Sequence, residues 1–504
     1  MVNIYCNKKD KDLKNFWNHI VFHPTDAIED EWGKRILDKA AEDGAVRTVR
    51  IYTMMEDIFT LDGDGNICAD YKLNDYRIDY LLSKGFNILL AYAFLPNWLC
   101  EKPDFASAAS RVGKRYKGKM VCNSRAADYS KWEEICRQYT RHIVDRYGEE
   151  TVAKWRIHCY NEPDASSFFY KDAPSEYARA EEYCKMYDAF EAGITSVSKK
   201  IPIGGPALSE SVEHLEFYKY FLDHIKKTNR KFDFISIHSY GTEPGMITDG
   251  SKPISVNGAL RNTMTLVRIA KMCGFEDLPI VCDEWGAATG GHCGIEDFPG
   301  LMFRDSEICS AYFAKMIMRF DELNVPYDEM MICLSGQHDL PTEFPGYRNF
   351  FTLNFYPKPI YNSFVLAGKL GEEKLHYFVN WTTQHLSVMP TKHKDGHFSV
   401  LLAYADGDFR CKIPKIDAPI TFRGIDGKYD VVKYVIDKDH ANAIEKYREL
   451  GCPDNPTEEQ KKEIYDFASL KPEPFGTVSA ENPSVTVSFE ENSVVLLELF
   501  PKRD

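Results

Sequence analysis

Short apolar runs recur through the first three-quarters of the chain. Each is long enough for a strand, and each is followed by a longer stretch whose apolar positions have helical spacing. The strand-like runs fall at 46–52, 87–94, 155–160, 201–205, 232–238, 279–283 and 329–334, and an apolar patch at 16–22 supplies one more, ahead of the rest. The helix-like stretches are 30–42, 74–84, 130–147, 175–198, 211–228, 259–272 and 306–323, several opening on Asp, Asn or Ser, the residue types that cap helix N-termini. Eight strands alternating with helices over some 370 residues predict an α/β fold, a (β/α)8 barrel with insertions. An open doubly wound sheet is the rival, but no glycine-rich phosphate loop follows the first strand.

Near Gly371 the period changes to alternation, in runs at 397–404, 420–422, 431–435, 484–489 and 493–499, punctuated by Asp395-Gly396, Asp406-Gly407 and Asp426-Gly427. The expectation is a barrel over 1–370 and a C-terminal β-sandwich over 371–504. A helical insertion sits near 440–470, and the first few residues are free to join the β-module.

Composition narrows the function classes. With 62 Lys+Arg against 76 Asp+Glu the chain carries a formal charge of −14, so a nucleic-acid partner is not expected. A hydrophobic fraction of 44% excludes a disordered chain. The most apolar uncharged run, 85–100, is too short to span a membrane and contains Pro96. The first residues run into Lys8-Lys9-Asp10-Lys11-Asp12 without an apolar core, and the 14 cysteines form no CxxC pair. Both features point to a cytoplasmic protein with reduced thiols.

Two runs carry candidate chemistry. In Arg156-Ile157-His158-Cys159-Tyr160-Asn161-Glu162-Pro163, strand alternation puts His158, Tyr160 and Glu162 on one face, with Glu162 at the C-terminal end of strand four. In Ile280-Val281-Cys282-Asp283-Glu284-Trp285-Gly286 the same parity turns Ile280, Cys282 and Glu284 inward, with Glu284 capping strand seven. Glu162 has the bland alternative of a carboxylate at an ordinary strand-to-loop corner, and Glu284 alone reads equally well as a structural carboxylate. Two carboxyls at one barrel mouth are what glycoside hydrolysis requires. His238 and Tyr240 end strand six on one face; a Tyr hydroxyl there suits holding a carboxylate ionised. Arg50, ending strand two, suits the same task or a barrel-filling ion pair. Tyr92, Phe94, Trp98 and Trp285 lie at or after strand ends and are candidate sugar-stacking walls, core packing being the commoner role of such aromatics.

Taken in order, these motifs resemble glycoside hydrolase family 39, and within it the bacterial β-xylosidases. The likeness runs from Phe16-Trp17-Asn18 through Tyr92-Ala93-Phe94-Leu95-Pro96, Asn161-Glu162-Pro163, Gly204-Gly205-Pro206-Ala207, Ile237-His238-Ser239-Tyr240 and Glu284-Trp285 to Pro357-Lys358-Pro359-Ile360-Tyr361-Asn362-Ser363-Phe364. The resemblance implies Glu162 as acid/base, Glu284 as nucleophile, and Asn161 bonding the sugar 2-hydroxyl. It also implies a retaining, exo-acting reaction on a terminal sugar, xylose first, with no metal and no cofactor. An iduronide, arabinoside or glucoside is the second reading, and a non-catalytic carbohydrate-binding barrel the third. The expected partner is a carbohydrate, and a homo-oligomer stays open. Two segments depart from the family's pattern. Ile51-Tyr52-Thr53 stands where a His-Gly follows the arginine, and 331–339 replaces an aromatic-rich stretch after strand eight.

Overall fold

Eight parallel strands close into a barrel: His19–Phe22, Thr48–Tyr52, Asn87–Tyr92, Arg156–Cys159, Ile203–Leu208, Phe234–Tyr240, Ile280–Gly286 and Tyr327–Leu334. They are numbered one to eight below. Strand eight returns to strand one, pairing Met331 with His19 and Leu334 with Phe22. The computed structural model describes residues 1–22, 27–107, 121–209, 214–291, 293–334, 340–380 and 385–502. Residues 211–213 of the expected fifth helix and residues 335–339 of the divergent segment lie outside them.

The strands are apolar almost throughout because both faces are covered, one by the barrel interior and one by helices. Outer helices follow each strand in turn, from Glu31–Glu42 after the first to Pro359–Gly368 after the eighth. Local chemistry starts several of them. Asp128, Ser175, Ser255 and Ser306 each accept a backbone N–H of the first turn. Among the described residues, no helix is long and apolar enough to cross a membrane. The fourteen cysteines form no disulfide.

The C-terminal module is one continuous, mostly antiparallel nine-stranded sheet. Val2–Asp12 belongs to it, antiparallel to Glu373–Val379 and parallel to Ile416–Arg423. Val478 from one edge strand and Val487 and Phe489 from the other enter the same core as Val2, Val400 and Leu497. The sheet therefore folds back over its own apolar face, which gives it the two-layer character of a sandwich. Its helical insertion, Ala443–Glu449 and Glu458–Ala468, packs on Phe344 and Tyr356 of the loop after strand eight. Asn362 donates to the carbonyls of Ala441 and Ala468 at 3.1 and 2.8 Å, fastening the insertion to the last barrel helix.

Candidate active site

The C-terminal ends of the strands gather a buried polar cluster. Arg50, fully buried on strand two, is its hub. Its Nη1 donates to Glu284 Oε1 at 2.7 Å, its Nη2 to Asn161 Oδ1 at 2.8 Å, and its Nε to His158 Nε2 at 3.0 Å. The last bond makes His158 an acceptor, hence a neutral imidazole. Burial and the adjacent Arg50 charge agree, pushing the His158 pKa down to about 3.

Glu284 is held from both sides. Tyr240 donates to its Oε2 at 2.7 Å, and Tyr52 lies 2.8 Å from its Oε1. Burial opposes ionisation of this carboxyl, but His238, Arg50, Arg348 and the Tyr240 hydroxyl outweigh it and hold the pKa well below the ordinary range. Glu162 is the opposite case. Burial is the largest influence and raises its pKa, with the charges of Glu284 and Asp164 adding to the effect against His238. His238 Nδ1 is hydrogen-bonded to Glu162 Oε1 at 2.8 Å and lies 3.8 Å from Glu284 Oε2. Its own burial disfavours protonation, but Glu284 and Asp283 reverse this and lift the His238 pKa to about 10.

Two local distortions aim these groups. Tyr160 and Glu162 adopt left-handed φ of 64° and 46°, so alternation stops at the end of strand four and both Asn161 and Glu162 turn into the pocket. Tyr160 leaves it, its hydroxyl bonding the Phe168 carbonyl at 3.2 Å. On strand seven, Cys282 pairs with Ile237 but Glu284 with His238, so Asp283 is the extra residue of a β-bulge. Asp283 and Glu284 consequently both point inward. Asp283 Oδ2 sits 3.2 Å from Arg50 Nη2 and 3.6 Å from His238 Nε2. This corrects the parity reading. Cys282 instead meets Tyr327, whose hydroxyl bonds Thr263 on an outer helix at 2.7 Å.

A carboxylate oxygen of Glu162, one of Glu284 and the His238 Nδ1 lie within 4.8 Å of one another. Among the described residues they are the only group of three such donors close enough to share a metal ion. Chemically, the arrangement offers one carboxyl biased to the acid form and one biased to the anion, side by side at a barrel mouth. A model for glycosyl hydrolases family 39 matches residues 1–481.

The chain belongs to that family. It is a glycoside hydrolase. A β-xylosidase of Caldicellulosiruptor saccharolyticus is 23% identical over 518 residues, covering 99% of this chain and 98% of the relative. A β-xylosidase of Geobacillus stearothermophilus is 21% identical, covering 90% and 84%. The crystal structure of a monomeric β-xylosidase from Caulobacter crescentus superposes with a TM-score of 0.82 at 18% identity, over 100% of this chain and 99% of that one.

Within this family 39 barrel the structure brings together Arg50, Asn161, Glu162, His238, Tyr240 and Glu284. The aromatic candidates divide. Phe94 is buried and stacks on Tyr52 with ring centres 5.8 Å apart, one layer behind the polar cluster. Trp98 donates its indole N–H to the Phe59 carbonyl at 2.9 Å and lies under Lys131. Trp285 is only 2% exposed and stacks at 6° on Phe313 of an outer helix. Three groups at the site were not among the sequence candidates: Tyr52, Asp283 and Arg348. Arg348 comes from the loop after strand eight, its Cζ 5.0 Å over the Tyr240 ring. Asp283 was adjacent to Glu284 in sequence but hidden by the bulge. Nothing in the spacing of Arg348 marks it.

The raised pKa of Glu162 has a measurable cost. A carboxyl harder to ionise in the folded chain than in the unfolded one destabilises the fold above its unfolded pKa, and the cost vanishes below it. Glu162→Gln is therefore expected to melt above the parent at pH 7, with the difference closing as the pH falls to about 4. Scanning calorimetry at the two pH values checks it. Identical melting at pH 7 would contradict the assignment.

Proposed function

We propose that this enzyme is a retaining, exo-acting β-xylosidase that works by double displacement. The observation that carries the reading is the closeness of Glu162 and Glu284 together with their opposed pKa directions. Retaining glycosidases hold the two carboxyls about 5–5.5 Å apart, whereas inverting ones leave about 6.5–9.5 Å for a water. One carboxylate oxygen of each lies within 4.8 Å of one of the other, which supports the shorter, retaining spacing.

In the first step Glu284 attacks the anomeric carbon while Glu162 protonates the departing oxygen. In the second, Glu162, now ionised, takes a proton from water as that water displaces Glu284. Arg50 and Tyr240 keep the nucleophile anionic in the free enzyme. Asn161 Oδ1 is occupied by Arg50, which leaves its Nδ2 to donate to the sugar 2-hydroxyl. Every proton and electron pair is supplied by the two carboxyls, the substrate and water. Xylose as the sugar rests on the two β-xylosidase relatives, which match along nearly the whole chain.

A panel of nitrophenyl glycosides tests the substrate. The β-xyloside is expected to show the highest kcat/KM. Faster cleavage of an α-iduronide, arabinofuranoside or β-glucoside would move the assignment to that sugar.

A further inference from the structure

Tyr52 closes strand two within the segment where this chain departs from its family's pattern, and its hydroxyl sits at the centre of the polar cluster. Its ring is fixed by Phe94, 13° from parallel, and by Arg50, whose Cζ lies 4.6 Å over it. Among the described residues its oxygen has three hydrogen-bonding neighbours: Arg50 Nη1 at 2.9 Å, Glu284 Oε1 at 2.8 Å and Asn161 Oδ1 at 2.8 Å. Arg50 can only donate, so the phenol oxygen accepts from it. The single phenol proton then has two acceptors within reach, and it can serve one at a time.

Glu284 Oε1 already takes Arg50 and Tyr52, while among the described residues the hydrogen bond to Oε2 comes from Tyr240 at 2.7 Å. Oε2 also lies on the His238 and Glu162 side. Oε2 thus keeps a lone pair facing the acid/base and is the oxygen placed to attack. We propose that Tyr52 is a positioning residue whose proton rests on Glu284 Oε1 in the free enzyme and turns to Asn161 Oδ1 when Glu284 is esterified. An ionised carboxylate is a stronger acceptor than an amide carbonyl, and an amide carbonyl is stronger than an ester carbonyl. The order of preference therefore reverses when the glycosyl bond forms. The proton never leaves the phenol oxygen. Burial raises the Tyr52 pKa well above the ordinary phenol value, in keeping with a neutral hydroxyl in both states.

The consequence is an asymmetry between the two chemical steps. In glycosylation the carboxylate loses charge, so a donor on Oε1 gives the transition state no advantage. In deglycosylation the carboxylate is the leaving group, and the same donor stabilises its returning charge. The inference rests on the double displacement proposed above.

Tyr52→Phe keeps the ring against Phe94 and removes the hydroxyl. With a dinitrophenyl glycoside that the parent cleaves, kcat is expected to fall about ten- to hundredfold, the scale of one hydrogen bond to a charged group. At the same time kcat/KM changes by less than roughly threefold, so KM falls, and stopped flow shows a burst of dinitrophenolate. Added azide should raise the variant's kcat. Equal losses in kcat and kcat/KM would reduce Tyr52 to a structural residue, and unchanged kcat would remove it from the mechanism. Either result overturns the inference while the parent still gives a retained product. An inverted first product from the parent would overturn the double displacement itself.

Discussion

Glu284→Ala is expected to abolish turnover of every glycoside the parent cleaves, by about 10⁴–10⁶-fold in kcat, the scale of removing a covalent nucleophile. The residue stands on a strand, not a loop, and four groups hold it ionised: Arg50, His238, Arg348 and Tyr240. Among the described residues neither neighbouring carboxyl can substitute. Asp283 is committed below it to Arg50 and His238, and Glu162 is biased to the neutral form. The fold should persist, because Arg50 keeps Asp283 as counter-charge. The side chain's removal opens space on the attacking face. Azide should therefore restore part of the activity with an activated substrate and yield a glycosyl azide of inverted configuration. Full turnover in the variant would refute the nucleophile.

Glu162→Ala should damage selectively. A general acid is worth about 10²–10⁴-fold where the leaving group needs a proton. Loss of kcat/KM on that scale is expected for an alkyl or disaccharide leaving group. Dinitrophenolate departs unprotonated, so its kcat/KM should fall by no more than roughly tenfold. Deglycosylation loses its base with every substrate, so azide should accelerate the activated ones and give a retained glycosyl azide. Steady-state kinetics across leaving groups of graded acidity measure this. A uniform loss would reduce Glu162 to a binding carboxylate.

The barrel was legible because alternating runs of strand and helix period cover the chain from the first strand to Gly368, and because no step of that alternation is broken. The catalytic pair was legible for a different reason. Glu162 and Glu284 end strands whose apolar runs point clearly at the barrel mouth. The parity argument reached Glu284 only by accident of a bulge: Asp283 occupies the inward position that Cys282 had been given, and the extra residue brings Glu284 in behind it. A register shift of this kind leaves no mark in an apolar pattern. The left-handed φ of Tyr160 likewise put Asn161 and Glu162 side by side where alternation predicts opposite faces. Arg348 lies in an irregular loop, where no period applies. An aromatic next to a catalytic residue fits a wall and a core equally well in the sequence, and the stacking of Trp285 on Phe313 depends on a helix that begins more than twenty residues later. The single curled sheet of the C-terminal module was also not visible in its strand pattern. It depends on Val2–Asp12 pairing with strands more than 360 residues away.

The most direct test of the double displacement is to trap its intermediate. A 2-deoxy-2-fluoro-β-xyloside bearing dinitrophenolate slows both steps but leaves with ease, so the glycosyl-enzyme should accumulate. The measurement is intact mass followed by peptide mapping of the inactivated protein. The expected result is one fluorosugar per chain, attached to the peptide containing Glu284 at that residue. Attachment at Glu162 or elsewhere, or no adduct from an enzyme that turns over the parent xyloside and releases the inverted anomer first, would contradict it.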